Sequence, residues 1–88
     1  MINAERLKQH YEAQSQFGKI AETGICRPAH SPEEKKVFEL AASWMQEAGM
    51  KTRIDNFGNL IGRLEGTNPD LPVLMMGSHL DTQPYGGR

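Results

Sequence analysis

The chain has 88 residues with ten basic and eleven acidic side chains, a formal net charge of −1. That balance gives no bulk attraction to nucleic acid or to an anionic membrane. Hydrophobic residues at 38% with nine glycines are ordinary for a soluble globular chain, so wholesale disorder is excluded.

No stretch approaches the roughly 18 apolar residues of a membrane span, and MINAERLKQHYEAQ lacks the apolar centre of a secretory signal. A single cysteine, Cys26, can form no internal disulfide and has no C-x-x-C partner for zinc, which fits a reducing compartment. The expected location is the cytoplasm. A chain this short forms at most one small domain and buries only about 60 to 65% of its unfolded surface, so its stability is marginal.

From Asn3 to Ala21 the chain is rich in helix formers and free of proline, with Leu7, Tyr11, Gln14 and Phe17 spaced for one face. This predicts a first amphipathic helix ended by Gly18 or Gly24. The following TGICRPAH has no period and reads as a loop. A second helix is better specified. Ser31 caps it, Pro32 suits its first position and Glu34 completes a capping box. Val37, Leu40, Ala41, Trp44, Met45 and Ala48 form a stripe that must bury, while Glu33, Lys36, Ser43 and Glu47 point elsewhere. Gly49 supplies the left-handed stop.

Beyond it, Met50, Thr52 and Ile54 alternate with Lys51, Arg53 and Asp55, the period of a strand with one wet face. Asn56 to Gly58 is a turn, and Leu60 to Glu65 returns as the hairpin partner. After the polar GTNPDLP, Val73 to Met76 is a continuous apolar run that predicts a strand covered on both faces. Two helices, a hairpin and a buried strand make an α/β arrangement, cut short before its covering helices.

The chemistry lies just after that run, in GSHLDTQPYGGR, residues 77–88. Ligand sites in open α/β sheets lie beyond the carboxyl ends of strands. His79 and Asp81, two apart on extended backbone, project to one side, so the carboxylate can hold the imidazole nitrogen that a metal does not use. Gly77, Gly86 and Gly87 permit tight turns around such a site. The spacing equally fits a turn with an Asx-type hydrogen bond and no metal. His10 and His30 have no ligand spacing and read as surface residues. Trp44 and the Met75–Met76 pair read as core. Cys26 has no activating base beside it. Glu33 and Glu34 are explained by capping and the helix dipole rather than by paired acid–base chemistry.

Ser31-Pro32, Trp44-Met45, Ala48-Gly49-Met50, Asp55 with Gly58-Asn59-Leu60, Gly62-Arg63, Gly66 and above all GSHLDTQPYGGR resemble the amino-terminal part of the N-carbamoyl-L-amino-acid hydrolase and allantoate amidohydrolase family. That family stands within the two-metal aminoacylases and peptidases, and the resemblance covers residues 20–88. It implies that His79 ligates one metal, that Asp81 orients it as the catalytic-site carboxylate, and that two divalent ions, zinc or manganese, activate water against an amide or ureido carbonyl. The implied substrates are small carbamoyl or ureido compounds: N-carbamoyl amino acids, ureidopropionate or allantoate. No nucleic-acid or membrane partner is implied, and the full-length protein is expected to be a homodimer. The family's bridging aspartate, paired glutamates and remaining histidines follow its histidine motif, and none is present through Arg88. The expectation is therefore of the amino-terminal portion of a catalytic domain over residues 1–88, without the later catalytic segments or the dimerisation domain, and inactive alone. The alternatives are a related metallo-aminopeptidase or N-acyl amino-acid deacylase, or a non-catalytic module whose Val73–Met76 strand pairs with a partner.

Overall fold

A computed structural model describes residues 2–21 and 24–87; Arg88, the last residue of the histidine motif, and Thr23 of the first loop lie outside the described residues. Helix α1 spans Ala4–Gln14 and helix α2 Pro32–Glu47, followed by strands β1 (Lys51–Ile54) and β2 (Leu60–Arg63).

Asn3 caps α1 by accepting the Arg6 N–H at 3.0 Å, with Glu5 in the first turn against the positive end of the helix dipole. The helix is shorter than the predicted run to Gly18 or beyond. It closes at Ser15, whose hydroxyl donates to the Glu12 carbonyl at 2.7 Å, a local bond that competes with helix continuation. Gly18, at φ +81°, then turns the chain so that its carbonyl accepts the Cys26 N–H at 2.8 Å. Only the carboxyl end of the predicted face is covered: Leu7 is 61% exposed and Tyr11 49% exposed, whereas Gln14 and Phe17 are half-buried.

Helix α2 matches its sequence signature closely. Ser31 accepts the Glu34 N–H at 3.2 Å, and Pro32 occupies the first turn. The box is not reciprocal: Glu34 Oε1 accepts from His30 N–H at 2.9 Å, and the Ser31 N–H goes to the Pro28 carbonyl at 3.2 Å. The reason is the preceding turn, in which His30 at φ +63° aims its own amide at the carboxylate. At the other end Met50 N–H donates to Met45 O at 2.9 Å and Gly49 N–H to Gln46 O at 3.0 Å, the paired bonds of a Schellman stop, with Gly49 at φ +92°.

The hairpin is antiparallel with Thr52 opposite Gly62 and Ile54 opposite Leu60. Helix α2 crosses both strands. Gly62 is the point of closest approach, since a Cβ there would lie 2.7 Å from Met45 Sδ and 3.0 Å from Met50 Sδ. At the turn, Asp55 Oδ1 accepts the Phe57 and Asn59 N–H groups, each at 2.9 Å. Trp44, expected in the core, is half-buried and stacks on His10 at a centroid distance of 3.9 Å and 9°. His10, expected at the surface, is therefore half-buried and helps to join α1 to α2. Val37 and Ile25, both 1% exposed, are the fully buried hydrophobic side chains among the described residues.

The predicted buried strand at Val73–Met76 is not formed. These residues join no sheet among the described residues and are 62%, 87%, 80% and 86% exposed in order. A strand needs a ladder partner and a covered face, and among the described residues β1 and β2 pair only with each other. Met75 and Met76 are thus surface residues here, not core. The extended segment also explains a radius of gyration of 14.7 Å, against the roughly 12 Å of a compact chain of this length.

Candidate functional site

The histidine motif returns to the body of the molecule at Leu80. Ile25 and Gly86 exchange backbone bonds, Ile25 N–H to Gly86 O at 2.9 Å and Gly86 N–H to Ile25 O at 2.8 Å. Two residues along, the Thr82 N–H donates to the Arg27 carbonyl at 2.7 Å. The Thr82 hydroxyl accepts the Arg27 N–H at 2.8 Å and donates to the Ile25 carbonyl at 3.2 Å. Gly86 is required by space, because a Cβ would stand 2.8 Å from that of Thr82. Gly77 and Gly87 meet nothing within 4 Å and are not needed for tight turns here.

His79 and Asp81 are brought together as their spacing predicts. His79 Nδ1 lies 3.0 Å from the Asp81 carbonyl oxygen and 3.2 Å from Asp81 Oδ1. A carbonyl can only accept, so Nδ1 is the donor in this contact, and in the neutral ring that leaves Nε2 with its lone pair. The imidazole is largely exposed, at 81%, and the carboxylate is 43% exposed. Both face a hollow of about 690 Å³ whose walls include Gln14, Arg27, Thr82 and Gly86. The donor set fits one metal ligand with its orienting carboxylate. Among the described residues no three His, Cys, Asp or Glu side chains converge as a metal site. His10 and His30 stand elsewhere, on Trp44 and beside Gly58.

Sequence reasoning missed Arg27. It is 1% exposed, and its guanidinium joins two separate parts of the chain. Nε donates to the Leu80 carbonyl at 2.7 Å. Nη1 donates to the carbonyls of Gln14 at 2.8 Å and Phe17 at 2.9 Å. Nη2 donates to Gln14 Oε1 at 2.9 Å. Burial pulls the Arg27 pKa below the ordinary arginine value, with the charge of Glu34 opposing it; a guanidinium nevertheless stays charged. No carboxylate pairs with it among the described residues. Carbonyl oxygens at the negative end of α1 offset the charge instead. The only sequence signal was an arginine in an aperiodic loop, whose partner at Leu80 lies 53 residues away.

A scan against protein-family models gives no match. The sequence is 45% identical over 87 residues to the N-carbamoyl-L-amino-acid amidohydrolase of Pseudomonas sp. strain NS671, a match covering 99% of this chain. It is 46% identical over 87 residues to the enzyme of that name from Geobacillus stearothermophilus. By sequence this chain belongs to the N-carbamoyl-L-amino-acid amidohydrolase and allantoate amidohydrolase family. A third member, the allantoate amidohydrolase of Escherichia coli K12, is 40% identical over 73 residues, 83% of this chain and 18% of its own. The chain spans about a fifth of the family members it matches, 21% of each of the first two. The fold agrees. A hydantoinase/carbamoylase family amidase from Burkholderia ambifaria superposes with a TM-score of 0.93 at 34% identity, over 98% of this chain and 21% of that one. The long extended segment and the return of the histidine motif to Ile25 are therefore described within a fold that the amidohydrolase family shares.

Proposed function

We propose that this chain supplies the amino-terminal part of a catalytic domain that hydrolyses the C–N bonds of N-carbamoyl amino acids, ureidopropionate or allantoate. The observation that carries the reading is the 45 to 46% identity, across 87 residues, to two proteins named N-carbamoyl-L-amino-acid amidohydrolases. His79 would hold one of two divalent ions, zinc or manganese, through Nε2, and Asp81 would keep the opposite nitrogen protonated. When bound, such an ion supplies Lewis-acid polarisation of the scissile carbonyl and makes water a nucleophile near neutral pH. The chain's own task is orientation: Asp81 fixes the tautomer and plane of the imidazole, and its charge favours a cation beyond the ring. With one imidazole and one carboxylate at the hollow, the 88 residues do not complete the ligand set and are inactive alone. The same reading extends to a cytoplasmic homodimer.

The test is ammonia release by the natural gene product, supplied with zinc or manganese, from a panel of N-carbamoyl amino acids, ureidopropionate and allantoate. Release from at least one carbamoyl or ureido compound is expected, with loss of release in His79→Ala. Absence of release from the whole panel in metal-loaded protein overturns the reading.

A further inference from the structure

We infer that Arg27 is the positioning residue of the His79–Asp81 site, fixing the geometry of the ligand loop from outside it, and that it does not bind the substrate carboxylate. The inference rests on the reading of His79 as a metal ligand.

Leu80 is the residue between His79 and Asp81, and its carbonyl accepts from Arg27 Nε at 2.7 Å. Holding that carbonyl fixes the peptide plane joining Leu80 to Asp81, and with it the side to which Asp81 projects. One residue further on, the Arg27 main chain holds Thr82 through its N–H and hydroxyl, at 2.7 Å and 2.8 Å. On the other flank, residues 72–79 make no backbone–backbone hydrogen bond among the described residues. The guanidinium bond to the Leu80 carbonyl is thus the fixed point nearest the imidazole, with Thr82 held beside it by the Arg27 main chain and the Ile25 carbonyl.

An arginine in the wall of the hollow invites assignment as a carboxylate clamp. The geometry argues otherwise. Arg27 is 1% exposed, and its guanidinium has committed its Nε, both Nη1 hydrogens and one Nη2 hydrogen to Leu80, Gln14 and Phe17. A bidentate carboxylate needs two free parallel N–H groups, and freeing them would strip the end of α1 and the ligand loop together. The fork shape is what the site uses: a lysine ammonium is a point donor that cannot span these carbonyls.

The experiment uses the natural gene product and its Arg27→Met, Arg27→Lys and Gln14→Ala variants. Imidazole ¹⁵N spectra of metal-free protein report the His79 tautomer, equilibrium dialysis against zinc alone reports affinity, and steady-state kinetics separate kcat from KM. In wild type, His79 shows the Nδ1-protonated pattern. Arg27→Met is expected to mix the tautomers, weaken zinc on the order of tenfold and lower kcat with KM little changed. Arg27→Lys recovers part of each effect, and Gln14→Ala, which removes only a side-chain acceptor, gives smaller changes in the same direction. Where Arg27→Met does not fold, the Lys and Ala variants carry the same readouts. Wild-type tautomer and zinc affinity in folded Arg27 variants overturn the inference, as does a rise in KM alone. If wild type neither binds zinc nor hydrolyses the panel, the proposed function fails, while the ¹⁵N spectra still decide whether Arg27 sets the imidazole.

Discussion

The α2–hairpin unit and the histidine loop are held by different physics. The first is local: a capped helix, a glycine stop and a two-stranded hairpin within residues 31–63, packed through Met45 and Met50 onto the open face at Gly62. The second is non-local and polar. Its contacts join residues 53 to 61 apart, through Arg27, Thr82, Ile25 and Gly86. An apolar face tolerates small shifts because dispersion and burial are not directional, whereas a guanidinium bonded to several carbonyls tolerates few. The part of the molecule that holds His79 against Asp81 is the part built from directional bonds.

The sharpest way to break this comparison is Gly18→Ala. A Cβ there would run into the Cys26 carbonyl oxygen, and the residue sits at φ +81°, so about 3 kcal/mol of stability should be lost. Hydrogen exchange should show faster amides at Ile25 and Cys26 with the hairpin amides unaffected; equal acceleration in both regions would mean that they are one cooperative unit. Val37→Ala attacks the apolar side, removing two methyl groups from a residue 1% exposed. The expected loss is about 2 kcal/mol, read as a lower urea midpoint. Ser31→Ala removes the cap of α2 and should cost about 1 kcal/mol of stability, read from the same midpoint, leaving the Ile25 and Gly86 amides protected.

The smallest effect concerns pH. Hydrogen bonds from the Asn59 side chain and backbone, then from the Phe57 backbone, with the nearby charge of Arg53, hold the Asp55 carboxyl below its ordinary range against a small desolvation penalty. A folded pKa below the unfolded value gives stability that is complete above the unfolded pKa, roughly pH 4. That stability is lost as pH falls through the lower folded value. Acid should therefore loosen the Asp55–Asn59 turn, seen as faster exchange of the Phe57 and Asn59 amides, and Asp55→Asn should flatten that dependence.

Much of the local unit was legible in the sequence. Ser31, Pro32, Gly49 and the alternation on either side of Asn56–Gly58 each act through neighbours within a turn or a hairpin, so their spacing contains the answer. The His79–Asp81 contact was legible for the same reason, since two residues of extended backbone decide it. Elsewhere the outcome depends on distant residues. Helix α1 closes locally at Ser15, but that the Gln14 carbonyl at its end is capped by Arg27 is something no window around α1 reveals. Val73–Met76 has the composition of a buried strand, but composition cannot supply a ladder partner. Arg27 itself sits in a loop with no period, and its role appears only when Gln14, Phe17 and Leu80 converge on it.

The bare stretch from Pro72 to Ser78 has a mechanical meaning. No backbone–backbone bond among the described residues ties it to the body of the molecule, so no main-chain bond along it sets the plane of the His79 ring. That plane is referred instead to the end of α1, through the Arg27 bonds to the Leu80 and Gln14 carbonyls, a neighbour across space rather than along the chain.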